Sequence, residues 1–138
     1  MTTTLLTNAR LINPDSAEEA QGWLLIDQGR IAATGQDAPP KAESTVDCRG
    51  KCLAPGIVDI GVKVCEPGER HKESYRSAGR AAAAGGVTTM VTRPDTLPAI
   101  DNPETLEFVA RRANEAAPVN VLPMAALTKG REGREMTE

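Results

Sequence analysis

LAPGIVDIGV, residues 53–62, is the stretch on which the fold turns. It is almost continuously apolar and of strand length, and such runs suit a parallel strand buried on both faces. The period changes directly after it. ESYRSAGRAAAAGG, residues 73–86, puts Tyr75, Ala78, Ala81 and Ala82 on one helical face. Gly85-Gly86 supplies its stop, because glycine accepts the left-handed conformation that ends a helix. VTTMVT, residues 87–92, is β-branched and reads as a second strand. RPDTLPAI, residues 93–100, reads as a loop. Asn102-Pro103-Glu104 is a helix start with an N-cap, a proline at the first position and an acid in the first turn. Leu106, Val109, Ala110 and Ala113 mark one face of that helix. VNVLPMAAL, residues 119–127, is a third strand. Strand, helix, strand, helix, strand predicts an α/β fold with a parallel sheet and right-handed crossovers.

Residues 1–53 have no helical period and read as a small β-sheet domain. TLLTNARLI is a strand ended by the turn residues Asn13-Pro14-Asp15. GWLLID and RIAATG flank Gln28-Gly29, which predicts a β-hairpin. A proline-rich link, Ala38-Pro39-Pro40, leads to STVDCRG, residues 44–50, as another short strand.

Composition limits the function classes. The 138 residues carry a net charge of −3, so nothing points to nucleic acid or an anionic membrane. No apolar run approaches the roughly 20 residues that span a bilayer. MTTTLLTNAR lacks the basic and apolar regions of a secretory signal. Cys48, Cys52 and Cys65 are then read as free thiols in a reducing cytoplasm. With Trp23, Tyr75 and Phe108 the only aromatics, Ala, Val and Leu must build the core. His71 is the only histidine, which restricts every metal-enzyme reading.

VDIGVKVCEPGER, residues 58–70, has the layout of an enzyme site at a strand end. Together with AAAAGGVTTM, RPDTLPAIDNPET and NVLPMAALTKGREGREMTE, it resembles dihydroorotase of the amidohydrolase superfamily, over about residues 50–138. The resemblance implies the front part of a (β/α)8 TIM-type barrel behind a small β-domain, with domains at 1–53 and 54–138. Three strands cannot close a barrel of about 250 residues, so the barrel is expected to be incomplete here and the chain to be the front of a larger protein.

In that family the first barrel strand ends in Asp-x-His-x-His, and the two histidines bind zinc. Asp59 matches the aspartate. The histidine positions hold Gly61, which has no ligand atom, and Lys63, a cation that zinc repels. The resemblance also implies an arginine for the substrate carboxylate at the position of Cys65. It implies Met-Pro-Asn-Thr where Arg93-Pro94-Asp95-Thr96 stands, so Asp95 replaces a substrate-binding asparagine. Framework residues such as Glu66-Pro67-Gly68, Gly85-Gly86 and Asp101-Asn102-Pro103 still fit. The pattern resembles the non-catalytic homologues that accompany aspartate transcarbamoylase in pyrimidine synthesis. That implies a structural partner with no cofactor, and leaves a homo-oligomer open. The other reading is an active zinc-dependent cyclic amidohydrolase with ligands from strands beyond residue 138.

Each site residue also has a plainer account. Lys63 could be an activated amine, but a single residue argues this weakly. Cys65 has no histidine nearby except His71, and a half-buried thiol suits it better than a nucleophile. His71 reads as an exposed turn residue. Cys48 and Cys52 are too poorly spaced for a zinc knuckle. Asp59 either hydrogen-bonds near the strand end or keeps a vestigial site role. Gly85-Gly86 closes a helix rather than opening one, which argues against phosphate binding. KGREGRE, residues 129–135, reads as a solvated turn.

Overall fold

A computed structural model of the chain describes residues 3–137. Residues 1, 2 and 138, the outer ends of the two expected domains, lie outside the described residues. The chain divides into two compact units between Pro55 and Gly56, two residues beyond the sequence reading's boundary.

The first unit is a β-sheet organised on β1 (Thr3–Asn13). β2 (Glu18–Asp27) pairs antiparallel with β1 and with β3 (Arg30–Gly35). β4 (Ser44–Asp47) and β5 (Cys52–Leu53) both run parallel to β1. The expected hairpin forms, with Gln28 and Gly29 at φ 50° and 74°, as a two-residue primed turn requires. β2 starts four residues earlier than its apolar core GWLLID suggests, because Glu18–Gln21 extend the ladder against β1. STVDCRG is a strand only to Asp47, for Arg49 at φ 53° turns the chain before β5. Leu5, Ala9 and Leu24 are the buried apolar residues of this sheet.

The second unit carries β6 (Ile57–Val62), α1 (Tyr75–Ala84), β7 (Val87–Thr92), α2 (Pro103–Ala116) and β8 (Asn120–Pro123). The three strands form a parallel sheet in the order β6-β7-β8. Ser74 caps α1 by accepting from the Ser77 amide, and Ser77 reciprocates. Gly86, at φ 81°, takes the left-handed position after the helix. Asn102 caps α2 through the Thr105 amide, with Pro103 at its start. The loop Thr128–Thr137 folds back on itself through the pairing of Thr128 with Met136 and is mostly exposed.

The core of this unit lies between the helices and the sheet. It joins Val64, Tyr75, Ala78, Met90, Ile100, Val109 and Ala113. The helical faces are turned slightly from the expected ones. Gly79 is buried in α1 and Ala81 is exposed, because the helix approaches Ala117 and Pro118 along Gly79. In α2, Ala110 is exposed and the buried residues are Val109 and Ala113.

The larger departure is β6. An apolar run suggests burial on both faces, yet Ile57, Val58 and Ile60 are 54%, 57% and 75% exposed. β6 pairs on one side only, with β7, and among the described residues no strand covers its other edge. Hydropathy reads what a strand is suited to, not whether a neighbour is present.

This difference is measurable. Met90→Ala, which empties a fully packed site, should lower unfolding free energy by about 2–5 kcal/mol. Ile60→Ala should stay within about 0.5 kcal/mol, as at other exposed positions. Chemical denaturation of both variants checks the contrast; a large loss for Ile60→Ala would mean that β6 is buried in solution.

Candidate functional site

The carboxyl end of a parallel sheet is where α/β proteins place their chemistry. In the second unit this end gathers the segment after β6 and the loop after β7. The two are joined by the Arg93 amide, which donates to the Val62 carbonyl at 2.9 Å.

Gly61 does not take a regular place in the ladder. Ile60 pairs with Val91 and Val62 with Thr92, so Gly61 is the extra residue of a bulge, at φ 93°. A Cβ at this position would meet nothing within 4 Å. The obstacle to another residue here is therefore the backbone conformation, which side chains rarely adopt. Position 61 lacks a ligand atom and also has a glycine-type backbone. Asp59, paired with Met90 and exposed, makes no side-chain hydrogen bond or ion pair among the described residues. The hydrogen bond near the strand end that one reading gave it is not formed; Asp59 lies three residues before the end of β6.

Lys63 stands one residue beyond β6. Its Nζ donates to Asp95 Oδ2 at 2.9 Å, and Arg93 Nη2 donates to the same oxygen at 3.1 Å. Burial alone would raise the Asp95 pKa. The Lys63 hydrogen bond and the nearby Arg93 and Lys63 charges outweigh it and hold the carboxyl below its usual range. Cys65 is a half-buried free thiol, and His71 is exposed on the following turn. Of the residues singled out from the sequence, the structure brings Lys63 and Asp95 together directly.

Sequence reasoning missed a second carboxylate. Glu66 is 4% exposed. Its Oε2 accepts from the Tyr75 amide at 2.9 Å, at the start of α1. Its Oε1 accepts from Arg112 Nε on α2 at 2.7 Å, with Arg70 Nε 3.6 Å away. Burial pushes the Glu66 pKa up, but the Arg112 and Tyr75 hydrogen bonds and the two arginine charges leave it lowered. The nearest sequence signal was the Glu-Pro-Gly turn. The Arg112 partner, 46 residues away, had none.

These residues do not suit a metal. Gly61 has no donor atom, and the Lys63 amine is the cation of an ion pair. Among the described residues, no group of three or more His, Cys, Asp or Glu side chains could hold a metal ion. The pairs Cys48/Cys52 and Gly85/Gly86 lie away from this strand end in the chain. The arrangement here is an electrostatic clasp between two strand ends.

Two variants test the geometry. Gly61→Ala should cost about 1–2 kcal/mol despite the open space, because φ 93° is unfavourable with a Cβ. A neutral result in denaturant titration would refute the bulge. Glu66→Gln should destabilise at neutral pH. A carboxyl with a lowered native pKa gives stability that is present above the unfolded value, about 4.3, and is lost as pH falls through the native value. The gap between wild type and Glu66→Gln should therefore narrow below pH ~4; a gap independent of pH would show that the charge is not what matters.

Comparison with known proteins gives this geometry a context. A family model described as "Dihydro-orotase-like" matches residues 50–138. A dihydroorotase-like protein of Pseudomonas putida is 44% identical over 140 residues, covering 100% of this chain and 32% of its own length. A dihydroorotase of Sulfurihydrogenibium is 36% identical over 135 residues, covering 97% and 32%. An L-hydantoinase structure from Arthrobacter aurescens aligns with a TM-score of 0.83 at 24% identity, covering 93% of this chain and 28% of that one. At that identity the likeness shows the shared fold. The chain spans about a third of the length of these curated relatives.

Proposed function

The chain belongs to the dihydroorotase-like family, and from that premise we propose that it is a non-catalytic member whose work is binding. In pyrimidine synthesis it would act as a structural partner of aspartate transcarbamoylase. The observation that carries this reading is the pair Lys63–Asp95, 2.9 Å apart. The family resemblance puts a zinc-binding histidine at the first position and a substrate-binding asparagine at the second. Here the two side chains are spent on each other. Gly61 removes the other histidine, and Cys65 replaces the arginine that would hold the substrate carboxylate. Residues that fit the family framework, such as Glu66 at the start of α1 and Asn102 as the cap of α2, have structural contacts here. A surface can thus be presented without chemistry. The barrel, of which these strands would be the first three, belongs to the same proposal.

A second reading is favoured by the names of the relatives, several of which are dihydroorotases. It holds that the whole protein is a metal-dependent cyclic amidohydrolase, opening dihydroorotate to N-carbamoyl-aspartate. Its metal ligands would come from outside these 138 residues. No step of that reaction can be assigned to Gly61 or Lys63.

Elemental analysis, a dihydroorotate assay and co-purification separate the two. A binding member should retain less than about 0.1 zinc per chain, show no turnover and co-purify with aspartate transcarbamoylase. Stoichiometric zinc with turnover would reject the first reading in favour of the second. Absence of metal, turnover and transcarbamoylase together would reject both.

A further inference from the structure

The first unit holds a cleft of about 230 Å³ between β1, β2 and the segment after β3. It starts from a break in the ladder. Leu6 pairs with Leu24 and Ala9 with Gly22, so Thr7 and Asn8 together stand opposite Trp23. Two residues against one make a β-bulge, which re-aims side chains. Asn8 takes a left-handed φ of 51°, which asparagine tolerates. Trp23 is half-buried and held in place. It pairs with Gly35, where a Cβ would stand only 2.5 Å from the indole Cζ2, so the ring lies against bare backbone. Its Nε1 donates to the Asp37 carbonyl at 3.0 Å.

Polar groups surround this indole. Gln21, Gln36 and Asp37 line the cleft and are exposed. Their side chains make no hydrogen bond or ion pair among the described residues. Asn8 Nδ2 donates to Asp47 Oδ1 at 2.9 Å, which leaves its own amide oxygen unspent. Among the described residues, no Lys or Arg lines the cleft, so an anion has no partner there. Side-chain amides both donate and accept, and a carboxylate accepts; neighbouring hydroxyls on a ligand do both as well. The indole adds an apolar surface. The matching ligand is a neutral ring with an apolar face and a rim of hydroxyls. The volume is below the roughly 300–1,000 Å³ of drug-sized pockets, which suits a single ring.

We propose that this cleft binds a neutral saccharide, with one sugar ring on the Trp23 indole and its hydroxyls bonded to Gln21, Gln36 and Asp37. The site lies wholly in the first unit and uses none of the strand-end residues, so it stands or falls separately from the proposed function.

Trp23 is the only tryptophan of the chain, so its emission reports on this cleft directly. The full chain is titrated with the methyl glycosides of glucose, galactose and mannose, and with glycerol as a control. At least one glycoside should give a saturating change in emission, half complete at about 1–10 mM. Glycerol should give no saturation. Gln21→Ala and Gln36→Ala change exposed side chains without partners and keep the reporter; each should weaken binding at least about fivefold. Absence of saturation with all three glycosides, or undiminished affinity in both variants, would overturn the proposal. So would saturation by tetramethylammonium chloride alone, which would mark the indole and Asp37 as a cation site instead.

Discussion

The second unit depends on one buried carboxylate. Glu66 joins the segment after β6, the first amide of α1 and the middle of α2. A buried charge is costly unless it is fully paired, and removing one partner leaves the other stranded. Glu66 meets that condition with an arginine, a helix-start amide and a second arginine at longer range. The helix start also favours a negative charge there. The contact does more than hold two helices together. Lys63 lies three residues before Glu66, so the anchor that positions α1 and α2 also limits where the chain leaves β6 and where the Lys63 amine can reach.

The core is consistent with this division of labour. Burial is concentrated on the helix side of the sheet, at Val64, Met90, Tyr75, Val109 and Ala113. Among the described residues, β7 is the only strand of this sheet with a neighbour on each side, and Met90 and Thr92 are its most buried residues. β6 and β8, at the edges, leave Ile57, Val58, Ile60 and Leu122 exposed. Packing against helices therefore stabilises this unit, while the strand edges and outer apolar residues add little within it. An apolar edge strand invites pairing with another chain segment.

Much of the fold was legible in the sequence because it was written in local signals. The Asn102-Pro103 start, the Gly86 stop and the Gln28-Gly29 hairpin each depend on residues a few positions apart. What failed was of two kinds. The faces of α1 and α2 were off by a residue or two because alanine is neutral between burial and exposure, and the choice between Ala81 and Gly79 is made by Pro118 across the interface. The exposure of β6 was hidden because hydropathy does not report missing neighbours. At the site, the resemblance singled out Gly61, Lys63, Cys65 and Asp95 as four separate departures from the family pattern. It did not show that two of them compensate each other, nor that Gly61 had a bulged backbone.

That compensation has a physical logic. Place Lys63 alone beside an asparagine, and its ammonium has a neutral acceptor and Arg93 as a like-charged neighbour. Place Asp95 alone beside a neutral residue at 63, and a mostly buried carboxylate depends on Arg93 only. Each single change is unfavourable; together they form a short ion pair, 32 residues apart in sequence. Two positions that look independent in a linear comparison meet in space. The strand end is electrostatically satisfied by Lys63, Arg93 and Asp95 themselves.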